Sequence, residues 1–149
     1  MKSIHFTDNN GSFCIKNPEN TSYLYFPLAS DAGLKSAVTP NLGGDSKINQ
    51  VAFLLEPVSA ENLHNNRSTR NFWCVVNDSD VYCATGASAA QEAVKFTSAQ
   101  DESELDAGLM WHTLKRTSHA LGLTSQITSF IPNDDTAEIM YVTLKNESG

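Results

Sequence analysis

The chain has 149 residues, of which 40% are hydrophobic and 18% charged, and its formal net charge is −7. This length and composition suit one globular domain with its own core and exclude a disordered chain. The acidic balance repels phosphate backbones and anionic lipids, so neither nucleic acid nor a membrane surface is an expected partner.

The chain opens with a hairpin signal. Two short strands are predicted at 4–7 and 12–15, on either side of Asn10-Gly11. Asn and Gly tolerate the positive φ angles of a tight turn, so this pair favours a hairpin loop.

The middle of the chain carries a second hairpin signal and little helix. Aromatic and β-branched runs at 71–76 and 81–84 flank a polar turn, which is typical of two paired strands. A short strand is predicted at 92–97. Helix is expected only as one capped turn at 59–63 and in the acidic segment 98–106, which is predicted to be a short helix or a loop.

The last third shows the clearest alternation of apolar and polar residues. A strand predicted at 108–117 precedes a long strand at 121–131. Pro132 ends the long strand, and a polar turn leads to a returning strand at 136–144. These short strands, spaced about 8 to 12 residues apart, predict a mostly-β fold, an antiparallel β-sandwich in a single domain.

The cysteines and the chain start bear on location. Cys14, Cys74 and Cys83 are too few and odd in number for a disulfide framework, and apolar neighbours predict buried thiols. No signal peptide is evident, and no apolar run reaches the roughly 20 residues of a membrane helix. The predicted location is cytoplasmic. The last predicted strand has no partner after it, which predicts oligomerisation through an unpaired edge.

No complete catalytic or metal-binding pattern is present. The histidines lack His-x-x-x-His spacing and no Cys-x-x-Cys occurs, so neither a metal nor a cofactor is expected. There is no Gly-x-Ser-x-Gly motif, and the glycine-rich segment 43–47 lacks phosphate-loop spacing and is predicted to be a flexible turn. The carboxylates at 134–135 and 101–106 are expected on solvated faces.

The segment 64–73 has chemistry suited to a sugar or a phosphorylated ligand. It places two arginines, three asparagines, one histidine and two aromatics within ten residues. Guanidinium and amide groups bind hydroxyl, phosphate or carboxylate oxygens, and aromatic faces pack against sugar C–H groups. The alternative is a loop whose arginines pair with the acidic surface while Phe72 and Trp73 enter the core.

Five short motifs lie in order along most of the chain. They are Ile4-His5-Phe6-Thr7-Asp8-Asn9-Asn10-Gly11-Ser12-Phe13, the segment 17–28, Thr39-Pro40-Asn41-Leu42-Gly43-Gly44-Asp45, Leu63-His64-Asn65, and Ser68-Thr69-Arg70-Asn71-Phe72-Trp73. Together they resemble the N-termini of glycoside phosphorylases of the cellobiose phosphorylase type. The 1,2-β-oligoglucan phosphorylase-like members are the most similar subgroup.

The resemblance implies a large sandwich similar to galactose-mutarotase sandwiches, which in those enzymes precedes a helical linker, an (α/α)6 barrel and a small β domain. The enzymes cleave a β-glucosidic bond with inorganic phosphate, invert the anomeric carbon and release α-glucose 1-phosphate. Their general acid and phosphate-binding residues lie largely in the barrel, and their sandwich borders the cleft and the homodimer interface. At 149 residues this chain has no barrel and an incomplete sandwich, so no catalytic residue is carried over.

The sequence therefore predicts a non-catalytic domain that makes assembly, cleft and weak saccharide contacts. The candidate contact residues are His64, Arg67, Arg70, Asn71, Trp73, Asn41 and Asp45. A free-standing carbohydrate-binding module is one alternative, and it requires Trp73 or Trp111 to be flat and exposed, whereas their neighbours favour the core. A mutarotase-type enzyme is the other, and it requires a histidine and a carboxylate to converge, with His112 and Glu138 as candidates on predicted strands.

Overall fold

The computed structural model describes residues 4–21, 24–55 and 70–148. Within those ranges the chain forms twelve strands, one short α-helix and one 3-10 turn at Pro18–Asn20. The strands and the helix are β1 (Ile4–Phe6), β2 (Phe13–Lys16), β3 (Phe26–Ala29), β4 (Lys35–Val38), β5 (Gly44–Lys47), β6 (Phe53–Leu55), β7 (Trp73–Val76), β8 (Asp80–Cys83), α1 (Ala89–Ala93), β9 (Glu102–Gly108), β10 (Trp111–Ser118), β11 (Leu123–Phe130) and β12 (Ile139–Asn146).

The strands form antiparallel sheets that pack together, so the predicted mostly-β sandwich is confirmed. The large sheet has six strands in the order β1-β2-β9-β10-β11-β12. A four-stranded sheet has the order β3-β4-β5-β6, and β7 and β8 form a separate hairpin. One core joins the inner face of the large sheet to the small sheet and the hairpin, since Leu114 and Ile127 cluster with Leu28, Val38 and Tyr82.

Alternation along the large sheet sets its two faces. Leu105, Leu114 and Ile127 lie side by side on β9, β10 and β11 and are fully buried. Burying each of these side chains contributes about 2 kcal/mol. The serines of β11 also face inward, where Ser125 hydrogen-bonds the hydroxyl of Tyr82 at 2.9 Å. The outer face carries the intervening residues, most of which are polar.

The predicted hairpins are present. The one expected from 121–131 and 136–144 is formed by β11 and β12, although β12 begins only at Ile139. In the first, the carboxylate of Asp8 accepts hydrogen bonds from the main-chain N–H groups of Asn10 and Ser12, and this fixes the loop between β1 and β2. In the second, Asn77 and Asp78 both have positive φ, at 51° and 62°. That conformation matches the twist of the flanking strands β7 and β8.

The predictions for 92–106 were wrong. The strand expected at 92–97 is replaced by α1 and turns, because Ser88 and Gln91 form a capping box that starts the helix. The helix or loop expected at 98–106 is largely strand β9. Its alternate residues Ser103, Leu105 and Ala107 face the core, while its acidic residues take the outward positions.

Other boundaries differ as well. The strand predicted at 108–117 is divided by a turn, in which Met110 has φ 61°, so Gly108 ends β9 and Trp111 begins β10. Most of the segment 43–47, predicted as a flexible turn, is strand β5, held by pairing with β4. The helical turn predicted at 59–63 lies outside the described residues.

Candidate functional site

The structure brings Arg70 against the segment that contains Asn41 and Asp45, so three of the predicted contact residues lie in one region. His64 and Arg67 lie outside the described residues. Arg70 sits just before β7, and its side chain is only 5% exposed. Its surroundings therefore decide whether it can meet a ligand.

Every N–H donor of the Arg70 guanidinium has a partner. Its Nε donates to Oε1 of Glu138, and its Nη2 donates to Oε2 at 2.8 Å, which makes a bidentate ion pair. The other donors meet main-chain carbonyls at 3.1 to 3.5 Å, those of Leu42, Gly43, Gly44 and Asp45. Arg70 therefore ties the entry of β5 to the start of β12 and has no donor left for phosphate or sugar.

Glu138 immediately precedes β12 and is also held by the small sheet. Ser36 Oγ donates to its Oε2 at 2.6 Å and lies 3.0 Å from Ser46 Oγ. Burial favours the neutral carboxyl, but the hydrogen bonds and charge of Arg70, with Ser36, outweigh burial and hold the pKa of Glu138 below its usual value. The carboxylate stays ionised and is fully engaged.

His112 lies on the inner face of β10, close enough to Glu138 for their charges to interact. It is fully buried, and its ring lies 5.6 Å from that of Phe26. Neither ring nitrogen has a hydrogen-bond partner among the described residues. Burial is the main cause that lowers the pKa of His112 to about 4, against the opposing charge of Glu138 and together with that of Arg70. The histidine is therefore neutral at pH 7.

The remaining predicted contact residues have different settings. Asn71 accepts a hydrogen bond from Thr85 Oγ1 at 2.7 Å. Trp73 is 47% exposed on the outer side of β7, so its expected place in the core was wrong. Phe72 does pack against the core, as predicted. Asp45 is half-buried in β5, and its charge adds to burial in raising the pKa of Tyr25.

A second buried ion pair was missed by the sequence reasoning. Arg116 on β10 contacts Glu19 of the 3-10 turn, with Nη2 and Oε1 3.2 Å apart. Ser103 and Gln100 also donate to Glu19. Arg116 rests on Gly86, where a Cβ atom would lie 2.2 Å from its Nη2. One signal in the sequence could have revealed this pair: Arg116 lies on the same face of β10 as the apolar Leu114.

The outer face of the large sheet is open to solvent. Trp111 begins β10 on this face and is 37% exposed, so its expected place in the core was also wrong. Its neighbours in register on β11 and β12 are Phe130 and Ile139. At the opposite end of β10, Lys16, Glu104 and other polar residues line a groove of about 360 Å³.

One group of metal-ligand types occurs among the described residues. The ligand atoms of Cys14, Glu104 and Asp106 lie within 4.8 Å of one another. Burial, Glu104 and Asp106 raise the pKa of the Cys14 thiol to about 11, so it stays protonated. Glu104 also lies in register between Lys16 and Lys115, which balance its charge. The group is explained by pairing across the strands.

Comparison with known proteins found no matching family model and no matching curated protein. In the parts of the chain that the structure covers, no helix has the length and apolar character needed to cross a bilayer.

Proposed function

We propose that this chain is a non-catalytic, galactose-mutarotase-like sandwich domain of a glycoside phosphorylase-like protein. Its tasks are assembly, cleft contacts and saccharide contact, and its location is the cytoplasm. The collinear motifs of the sequence support the relation, and three free cysteines suit a reducing compartment. The parent reaction, inverting phosphorolysis of β-glucosides, requires residues outside this chain.

One observation carries the non-catalytic part of the proposal. Among the described residues, the charged side chains that are buried deepest form the pairs Arg70–Glu138 and Arg116–Glu19. A catalytic acid or base needs a perturbed pKa and access to substrate. These side chains hold strands and turns together through their ion pairs, and His112 is enclosed between the sheets, so none of them is free to contact a substrate. They support a scaffold role.

The purified 149-residue chain is expected to show no phosphorolysis. The assay is release of glucose 1-phosphate from cellobiose and from 1,2-β-glucan in phosphate buffer, with a complete phosphorylase as positive control. Polarimetry on freshly dissolved glucose tests the mutarotase alternative, for which no acceleration is expected because His112 and Glu138 are enclosed or paired. Sugar turnover that co-purifies with the chain through two further columns would contradict the proposal.

The assembly part rests on the free edge of β12. Glu147 N donates to Gly122 O at 2.7 Å, in the register that joins β11 to β12. Bonded and non-bonded pairs alternate in an antiparallel ladder. Consequently the even-numbered residues of β12 turn their main-chain groups away from β11, and no described residue bonds those groups. They are Met140, Val142, Leu144 and Asn146.

A second copy of the chain fits this edge. Antiparallel pairing about a twofold axis at Thr143 places Val142 opposite Leu144 and Met140 opposite Asn146, which forms about eight hydrogen bonds. Tyr141 then faces Lys145 of the other copy. No like charges meet across this register. The partly exposed side chains of Met140, Val142 and Leu144 also gain neighbours from the other copy.

Substitution of Thr143 with Lys tests this dimer. Thr143 is exposed in the single chain, so T143K leaves the fold intact but sets two ammonium groups against each other on the proposed axis. We expect the dimer to dissociate about fivefold more readily. Light scattering over a concentration series measures it, and Thr143→Gln is the uncharged control.

Val142→Pro is the stronger variant of the same test. It removes an N–H that points outward, so pairing with β11 is kept while the edge is blocked. Circular dichroism verifies the fold. A wild-type chain that stays monomeric at high concentration would overturn the dimer and leave the edge to another segment or partner.

A second candidate function is a free-standing carbohydrate-binding module. The observation that favours it is that Trp73 and Trp111 are both exposed, since a binding module needs an exposed tryptophan to contact the sugar. Quenching of tryptophan fluorescence by glucans would support it.

A further inference from the structure

We propose that the outer face of the large sheet binds a linear, neutral oligosaccharide along β10, with Trp111 as the stacking platform. This inference rests on the proposed function, because it names the surface and the ligand class of the saccharide contact. The binding strip is the outward row of β10, formed by Trp111, Thr113, Lys115 and Thr117, with the neighbouring residues of β9 and β11.

The platform is built by a glycine. Trp111 pairs with Gly108 on β9. A Cβ atom at Gly108 would lie 2.5 Å from Nε1 and 2.7 Å from Cε2 of the indole. The indole therefore packs directly on Gly108, and a side chain at this position would displace it. This contact fixes the position of the indole while the side chain stays exposed, which leaves a preorganised aromatic surface for the C–H groups of a sugar ring.

The rest of the strip offers hydroxyl, amide and charged groups at regular spacing. Thr113 Oγ1 lies 2.9 Å from Thr128 Oγ1, and Thr117 Oγ1 lies 3.3 Å from Thr124 Oγ1. Between these pairs, Lys115 stands in register with Gln126. Such groups donate to and accept from sugar hydroxyls. The groove of about 360 Å³ at the Thr117 end widens the strip.

The length of the strip suits an oligosaccharide. Strand residues rise about 3.4 Å each, so Trp111 and Thr117 are about 20 Å apart, which spans about four pyranose rings. A chain of that length can stack one ring on Trp111 and reach the groove with another.

The charge of the strip selects against anionic sugars. Glu102, Glu104 and Asp106 project from β9 on the same face, where Lys16 and Lys115 offset only part of their charge, and the whole chain carries −7. Phosphorylated or uronic acid sugars would meet repulsion, whereas neutral sugars do not. A protein partner is less suited, because the exposed apolar side chains of this face are few: the row of Trp111, Phe130 and Ile139, and Tyr141 beside it.

The experiment is titration of the full chain with β-1,2-, β-1,3- and β-1,4-linked gluco-oligosaccharides of four or five units, followed by tryptophan fluorescence and calorimetry. We expect saturable binding that W111A weakens about tenfold or more. The chain supplies a matched control, since W73A removes the more exposed tryptophan, which lies on the β7–β8 hairpin away from the strip, and should leave affinity unchanged. Gly108→Ala, which displaces the ring without removing it, should also weaken binding.

Several results would overturn the strip. Absence of binding to all three series would do so, as would loss of binding in W73A with W111A unaffected, or tighter binding of an anionic oligosaccharide. Failure of the strip is separable from failure of the assembly proposal. Light scattering reports the β12 dimer without sugar, and Val142→Pro, whose altered side chain faces inward, should bind oligosaccharide as the wild type does.

Discussion

Replacing Arg70 with Met is expected to lower the free energy of unfolding by about 3 to 5 kcal/mol. The substitution leaves the carboxylate of Glu138, 14% exposed, without its partner. It also strips donors from four consecutive main-chain carbonyls at the entry of β5. A buried charge that loses its partner keeps its desolvation cost and loses the compensation. Urea unfolding at pH 7 measures the change.

Two further variants separate the buried charge from general damage. The double variant Arg70→Met/Glu138→Leu removes both charges, so we expect it to recover a large part of the loss. Lys145→Met breaks the exposed pair Lys145–Glu147, whose side chains are 70% and 40% exposed, and should cost at most about 0.5 kcal/mol. If R70M costs no more than K145M, the pair does not hold the two sheets together.

Acid is expected to weaken the fold through His112. Its pKa is about 4 in the folded chain against an ordinary value of 6.5, because burial disfavours the imidazolium. Between those pH values the unfolded chain binds a proton that the folded chain does not. Stability is therefore full above pH 6.5 and falls as the pH is lowered, by about 3 kcal/mol at pH 4. The charged groups that face His112 are Glu138 and Arg70.

His112→Leu should flatten this dependence. It removes two ring nitrogens that lack partners, so stability at pH 7 is expected to stay the same or rise. The measurement is urea unfolding at intervals from pH 7 to pH 4. His119→Leu, at a 73% exposed histidine, is the control and should keep the wild-type slope. Glu19 and Glu138 have lowered pKa values, so their protonation below about pH 4.5 lowers the free energy of unfolding in every variant. An unchanged slope in H112L would contradict the assignment.

Local pattern was enough to predict the strands whose two faces differ. The stretch 121–131 alternates well, although Ser125 and Ser129 interrupt its apolar face, and β11 lies within it. The small sheet was not predicted, because its strands are short and bury Ser36 and Ser46 as well as apolar residues. Such positions become strand only through cross-strand partners, which a local pattern does not contain.

The candidate site depends still more on distant contacts. Arg70 and Glu138 are 68 positions apart, and no spacing rule connects them. The motifs did single out Arg70 and Asp45, which the fold brings together. Trp111 was misplaced because both faces of β10 look mixed in the sequence. One carries Trp111 and Lys115, the other His112 and Arg116, and only the packing of Leu114 decides which is inner.

The order of strands in the large sheet has a consequence for how the chain folds during synthesis. β2 pairs with β9, and Asn17 bonds Ser103 across 86 positions. The strands β9 to β12 form a meander of local contacts that can assemble quickly, whereas docking of the first hairpin must close a long loop. During synthesis the first hairpin leaves the ribosome before its partner strand β9. Phe13 and Ile15 therefore stay exposed until β9 has been made. The first hairpin is thus synthesised before β9 but is among the last parts of the large sheet to dock.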